Sequence, residues 1–213
     1  MKKKEIILIG GGGHCKSCID VIEQEGVYKI AGIIDVKEKV GENILGYSII
    51  ATDDEIEQLG LKYEYFLITL GQIKSADLRV KLFDRIKKLG KKTPIIISTR
   101  AYVSKHAIIG DGTIIMHDVV VNSDVNIGEN CILNTKSLIE HDVLIGNHCH
   151  ISTAAVINGN VTIGSSSTIG SSSTIIQNIR IGDKVIIGAG SIVIKDALNS
   201  GIYFGAPAKI KKQ

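Results

Sequence analysis

The most reactive stretch of this 213-residue sequence is Asn134-Thr135-Lys136-Ser137-Leu138-Ile139-Glu140-His141-Asp142, followed by His148 and His150. An imidazole beside a carboxylate is a general base suited to neutral pH, because the acid accepts one ring N–H and makes the other nitrogen more basic. Taken alone, His141 is equally a histidine on a solvated face. A second cluster lies near the start. Glu5 to Ile9 reads as a buried strand, after which Gly10, Gly11, Gly12, Gly13 and His14 open a helix reaching about Glu25. Strand, glycine turn and helix N-terminus cradle phosphate, since glycine lets the backbone approach and free N–H groups face the anion. Ile30 to Ile34 is a second strand with Asp35 at its carboxyl end, where an acid accepts from a ribose hydroxyl. A third strand, Tyr65 to Leu70, ends in Gly71-Gln72, a turn within reach of the same ligand. The loop departs from G-x-G-x-x-G, with Cys15 at the third glycine position, and the unit is short. A mononucleotide such as a nucleotide-sugar is therefore expected rather than a dinucleotide; a packing turn without ligand is the plain alternative. Cys15-Lys16-Ser17-Cys18 reads as structural, since the glycine loop already claims that turn.

The elements that position these groups follow from periodicity. Starting at Val103, every sixth residue through Val193 is Ile, Leu or Val, sixteen in succession without an insertion. No helix has that period; a hexapeptide parallel β-helix does, three hexads forming one triangular coil. The aliphatic residue fills each side from within. A small residue two places earlier (Cys131, Ser137, Cys149, Ala155, Ser167) leaves room for it, and Gly or Asn after it is expected to permit the corner. Cys131 and Cys149 are expected to act as small hydrophobes in that slot. About five coils at roughly 4.8 Å give a prism on the order of 25 Å long. Because the hexads start abruptly, two domains are expected: 1–98, a half-Rossmann α/β unit, and 99–213, the all-β prism with its tail. Within the first, Asp53 to Leu59 reads as a short helix capped by Thr52. Asp77 to Leu89 reads as an amphipathic helix with Leu78, Leu82, Phe83 and Ile86 on one side, and Pro94 to Ile97 as a last short strand.

Composition excludes several classes. Net charge is +3, and the lysines at the ends (Lys2 to Lys4; Lys209, Lys211, Lys212) come without a basic stripe or many aromatics, so nucleic acid is not an expected partner. No run approaches the ~18 apolar residues of a membrane span, and Ile6 to Ile9 is too short for a signal peptide. A cytoplasmic protein is the expectation. Outward apolar residues on the prism (Ile114, Val120, Leu138, Leu144, Ile186, Ile192) call for burial by association of prisms.

The hexad resembles the [LIV]-G-x-x-small-x repeat of left-handed β-helix acyltransferases, and Gly205-Ala206-Pro207-Ala208-Lys209 resembles the G-x-P-A-K segment that closes many of them. Gly12-Gly13-His14, the stretch from Asn134 to Asp142, and His150 nine residues beyond His141 together resemble the PglD-type nucleotide-sugar N-acetyltransferases of bacillosamine biosynthesis. The NeuD-type sialic-acid O-acetyltransferases share that architecture. The resemblance supplies the left hand of the β-helix and implies a homotrimer, with each active site between two prisms. It implies acetyl-CoA along the β-helices and a UDP-linked 4-amino sugar delivered from the N-terminal domain. By the same resemblance His141 is the catalytic base and Asp142 its acidic neighbour, one methylene shorter than the family's frequent Glu. His150, Ser171 and Ala189 are acetyl-CoA contacts, and the Gly159 N–H faces the thioester oxygen. Asn134 lies near the base, while Gly12, Gly13, His14 and Asp35 match the sugar-nucleotide loop and its acid; Gly71 is added to that site by its place in the turn after the third strand. Direct transfer is expected, His141 taking a proton from the acceptor amine as it attacks the thioester; no metal is expected.

Other readings differ in what they require. A sialic-acid O-acetyltransferase uses the same fold on a hydroxyl, and GDP- or dTDP-linked amino sugars are alternative acceptors. A zinc carbonic anhydrase prism needs three histidines from among His117, His141, His148 and His150. A non-catalytic nucleotide-binding solenoid would make the His141 region dispensable.

Overall fold

The computed structural model describes residues 3–211; Lys2 and Lys212, counted above among the terminal lysines, lie outside the described residues. The N-terminal unit runs β1 (Lys4–Ile9), α1 (Gly13–Glu25), β2 (Tyr28–Ile34), β3 (Asn43–Ile44), β4 (Tyr47–Ala51), α2 (Ile56–Lys62), β5 (Tyr65–Ile68) and α3 (Asp77–Lys88). Its strands stand in the order β3-β4-β2-β1-β5, with β1 parallel to both β2 and β5. Ile6 to Ile9 are all fully buried, as in a parallel sheet covered on both faces. Ile6 and Leu8 pack with Cys15, Cys18, Ile19 and Ile22 of α1, while Ile7 and Ile9 pack with Leu82, Phe83 and Ile86 of α3. Both α1 cysteines are therefore core, and burial pushes the Cys15 thiol up to about 11, which keeps it in the unreactive thiol form near neutral pH. The expected helix after Thr52 forms: Thr52 N donates to the Glu55 carboxylate at 2.9 Å in a capping box. Two expectations are corrected here. Leu78 of α3 is 53% exposed, whereas the next residue, Arg79, is 2% exposed. The expected strand at 94–97 is Ile96–Ile97, and it pairs with Ile114–Ile115, so it opens the prism instead of extending the N-terminal sheet.

In the prism each hexad contributes a short strand ending on or at its aliphatic residue, and coil stacks on coil in three parallel sheets. The first runs from Ile96–Ile97 through Ile132–Leu133, His150–Ile151 and Thr168–Ile169 to the tail strands Gly201–Gly205 and Ala208–Ile210. The second contains Val120–Val121, Leu138–Ile139 and Val156–Ile157, and the third Asn126–Ile127 and Leu144–Ile145.

Two details of the repeat differ from expectation. The left-handed corner residue is not the Gly or Asn after the aliphatic position; it comes three places after that aliphatic residue. Asn130 (φ 53), Lys136 (62), Asp142 (60), His148 (59) and Ala154 (57) all adopt it. The glycines are needed for another reason, the approach of the next coil. A Cβ on Gly128 would stand 2.7 Å from Asn147 N, and on Gly146 2.8 Å from Ser165 N. The small inner slot is likewise more than small. Thr113 Oγ1, Cys131 Sγ, Cys149 Sγ and Ser167 Oγ, one per coil, donate to the carbonyls of Gly128, Gly146, Gly164 and Gly182. Cys131 and Cys149 are thus hydrogen-bond donors in a buried ladder that ties each coil to the corner ahead.

The outer faces differ in what covers them. On the first sheet the outward residues Ile96, Ile114 and Ile132 are fully buried under the N-terminal unit. Ile114 is consequently removed from the residues expected to await another prism. On the second sheet Tyr102, Val120, Leu138, Val156, Thr174 and Ile192 form one outward row in register, largely apolar.

Candidate active site

The glycine loop sits at the carboxyl ends of β1, β2 and β5. Helix α1 starts there without a side-chain cap, so its first N–H groups are left for a ligand. A Cβ added to Gly12 or Gly13 would meet nothing within 4 Å, so this chain itself does not demand glycine at either place. Open space over an uncapped helix end is what a bound phosphate needs. Asp35 curls toward the loop instead of standing free: its Oδ2 accepts from Gly11 N at 2.9 Å and Lys39 Nζ at 3.1 Å, and its Oδ1 accepts from Val36 N at 2.7 Å. Burial pushes this carboxyl up, but those three donors together hold it below the usual range. His14, close enough to Gly71 that a Cβ added there would touch its side chain, has an Nε2 that is sealed from solvent without a partner. Burial, with the Arg79 charge nearby, lowers its pKa to about 3, so the ring is neutral.

The turn after β5 joins this loop to the prism. Gln72 and Ile73 line a cleft of about 330 Å³ with Asn134, His150, Ser152, Thr168, Gly170, Ser171 and Ala189. The half-buried His150 is lowered by desolvation and is neutral; its Nδ1 donates to the Gln72 carbonyl at 2.6 Å. Asn134 Nδ2 lies 3.4 Å from His150 Nε2. Four of the expected residues, Asn134, His150, Ser171 and Ala189, thus share one cleft. Gln72, which also lines it, directly follows Gly71, and Gly71 stands beside the His14 side chain of the glycine loop.

His141, Asp142 and Gly159 form a second group. His141 Nδ1 and Asp142 Oδ2 are 2.7 Å apart, and that hydrogen bond raises the imidazole's pKa. Both side chains are more than half exposed. The imidazole lies over Gly159, where an added Cβ would be 2.7 Å from Cε1. Among the described residues the Gly159 N–H has no partner. The contact between Asp142 and His141 is therefore made despite the shorter side chain. The chain does not bring this group to the cleft by itself. His141 follows the second-sheet strand Leu138–Ile139, whereas Asn134 follows the first-sheet strand Ile132–Leu133, so one prism face separates the two corners.

The remaining histidines part company. His148 and His150, two residues apart, do not act as a pair: His148 occupies a corner, stacking edge-on against Phe83 at 5.7 Å and lying 3.0 Å from Asn130 Nδ2. His117 is held between Ser98 Oγ at 2.6 Å and Asp20 of α1 at 2.7 Å, a clasp between the N-terminal unit and the first coils. Among the described residues no group of three His, Cys, Asp or Glu is placed to hold a metal ion. No helix there is long and apolar enough to cross a membrane. Sequence reading missed Arg79, whose Nη1 donates to Leu70 O at 2.6 Å and Nη2 to Asn130 Oδ1 at 2.7 Å, and the structural part of Gln72.

Comparison with known proteins matches both units of the chain. Residues 5–86 match the family described as PglD N-terminal domain, and residues 106–141 match bacterial transferase hexapeptide (six repeats). A search of curated proteins found no match. Among solved structures, a His-to-Asn mutant of perosamine N-acetyltransferase from Caulobacter crescentus in complex with CoA and GDP-perosamine is 30% identical. The alignment covers 98% of this chain and 97% of that one, with a TM-score of 0.92. The acetyltransferase domain of PglB from Neisseria gonorrhoeae in complex with acetyl coenzyme A is 28% identical over 99% of this chain and 100% of that one, with a TM-score of 0.90. WeeI from Acinetobacter baumannii, 23% identical over 98% and 100%, shares the fold with a TM-score of 0.87.

Proposed function

The chain belongs to the PglD-type sugar N-acetyltransferases with hexapeptide repeats, and from that premise we propose that it transfers acetyl from acetyl-CoA to the 4-amino group of a nucleotide-linked sugar. The observation that carries this reading is the cleft lined by Asn134, His150, Ser171 and Ala189, whose wall at Gln72 belongs to the turn that stands beside His14 of the uncapped glycine loop. We take the nucleotide to be UDP, as the resemblance implies. A GDP-linked sugar is the second reading, favoured by the relative crystallised with GDP-perosamine.

In the proposed mechanism the neutral acceptor amine attacks the thioester carbonyl while His141 takes a proton from its nitrogen; as the tetrahedral intermediate collapses and the C–S bond breaks, the imidazolium gives that proton to the sulfur and CoA leaves as the thiol. Asp142 accepts from Nδ1 and stabilises the imidazolium formed. The free Gly159 N–H is an oxyanion donor beside it. All four cysteines are buried, which favours direct transfer over a cysteinyl acyl-enzyme.

We further propose that the enzyme is a homotrimer, packed through the row Tyr102, Val120, Leu138, Val156 and Ile192. Association across that face would bring the His141 corner of one prism to the cleft of the next. The test is CoA-thiol release from acetyl-CoA with UDP-, GDP- and dTDP-4-amino sugars and with free sialic acid, using wild type and His141→Ala. Release with one amino-sugar nucleotide, lost in the variant, supports the proposal and names the nucleotide. Release with sialic acid alone replaces it by O-acetylation, and release unchanged in His141→Ala removes the base.

A further inference from the structure

Gln72 stands between the two halves of the site. It is 1% exposed, and its Nε2 donates to the His148 carbonyl at 3.0 Å and to Thr168 Oγ1 at 3.3 Å. Its own backbone carbonyl accepts from His150 Nδ1 at 2.6 Å. These bonds join residues 76 to 96 positions apart in sequence, so they fasten the turn after β5 to the prism. The fit is not one that stability alone would select: Gln72 Oε1 is sealed without a partner, and an unpaired buried amide oxygen is destabilising. A methionine would fill the space without that penalty. The neighbouring Arg79 repeats the pattern, with a buried Nε that has no partner while its Nη1 donates both to Ile68 O at the end of β5 and to Leu70 O in the turn that follows.

The consequence for His150 is stereochemical. A carbonyl only accepts, so the 2.6 Å contact fixes the proton on Nδ1 and leaves a lone pair on Nε2, beside Asn134 at the cleft. We propose that Gln72 is a positioning residue for acetyl transfer: its side-chain amide clamps the Gly71–Ile73 turn, whose carbonyl holds His150 as the Nδ1–H tautomer, an acceptor for the pantetheine amide N–H groups of acetyl-CoA. This rests on reading the cleft as the acetyl-CoA site. The clamp also keeps Gly71 against His14, so the donor and acceptor sites share one wall.

The experiment compares wild type with Gln72→Met and Thr168→Val, the second removing one acceptor of the same amide and leaving Gln72 in place. Each protein is labelled with ¹⁵N-histidine, and His150, assigned with His150→Gln, is read by long-range ¹H–¹⁵N NMR. Wild type should show Nδ1–H alone. Gln72→Met should show both tautomers, together with a KM for acetyl-CoA raised about tenfold, the worth of one hydrogen bond, and a kcat changed far less. Thr168→Val should move both readouts the same way by less, and it carries the test should Gln72→Met fail to fold. An unchanged tautomer and KM in the folded variants overturns the proposal. Calorimetry of wild type with CoA separates the two ideas: no binding, or binding indifferent to His150→Gln, refutes the cleft reading and the proposal with it, while normal binding with insensitive variants refutes the clamp alone.

Discussion

The imidazole of His141 rests on the Cα of Gly159, one coil further along, so closely that a methyl group there would come within 2.7 Å of the ring. Glycine at this corner is therefore a condition of where the proposed base stands, independent of any oxyanion role. The expected outcome for Gly159→Ala is a folded protein whose melting temperature is near wild type and whose kcat falls about a hundredfold, as misplacing a catalytic group by about 1 Å does. Steady-state kinetics beside a thermal melt would check this; full activity would mean the ring has another seat.

Activity should have an acid limb governed by His141. The base works neutral, and Asp142 raises its affinity for the proton, so the limb's midpoint should lie above the ordinary imidazole value of about 6.5. In Asp142→Asn the midpoint should fall to lower pH while the plateau rate also drops. His141→Ala should cost about 10² to 10⁴ in kcat. A pH profile of kcat for the three proteins decides; an unmoved midpoint in Asp142→Asn rules out the pair as the titrating unit.

His14 gives an opposite sign in stability. Its folded pKa, about 3, lies below that of the unfolded chain, near 6.5, so below that value protons bind the unfolded state preferentially. Its contribution is fully present above about pH 6.5 and is lost steadily toward pH 3. The melting temperature of wild type should drop between pH 7.5 and 4.5, and the drop should be smaller in His14→Gln, where His148 and His150 still titrate. Equal drops would show that His14 is solvated.

The prism core should behave as a close-packed interior. Ile151 is fully buried, so Ile151→Ala should cost about 2–5 kcal/mol in denaturant unfolding. Cys131→Ala should cost less in volume but should also orphan the Gly146 carbonyl and the Cys149 N–H; Cys131→Ser, which keeps a donor, should recover stability relative to the alanine variant. An alanine variant as stable as the serine would show that the ladder has no weight.

Much of this was legible because the hexad repeats a local rule in every coil. From Val103 to Val193 each aliphatic residue reports the same neighbour in the next coil, so the pattern carries its own three-dimensional meaning. Reasons were less legible than positions. Gly128, after the aliphatic Ile127, reads as a corner glycine, yet the left-handed dihedral is adopted two places later by Asn130; the approach of Asn147 that requires the glycine comes from another coil. Arg79 was invisible for a related cause. On an amphipathic helix a cation next to Leu78 reads as solvent-facing, and only Asn130, fifty-one residues away, turns that face inward. His117 seemed a companion of His141 until Asp20 of α1, ninety-seven residues away, claimed its ring. Partners brought together by docking of two units leave no mark in either unit's periodicity.

The N-terminal unit leans on one side of a three-sided column, through Ile96, Ile114 and Ile132, with the corner clasps of His117 and Arg79 at its margins. Under the proposed function, change in the N-terminal unit is therefore graded by place: the surroundings of the Gly10–Gly13 loop can be remodelled without touching the His141 corner, whereas the turn at Gln72 cannot change without disturbing the seat of His150.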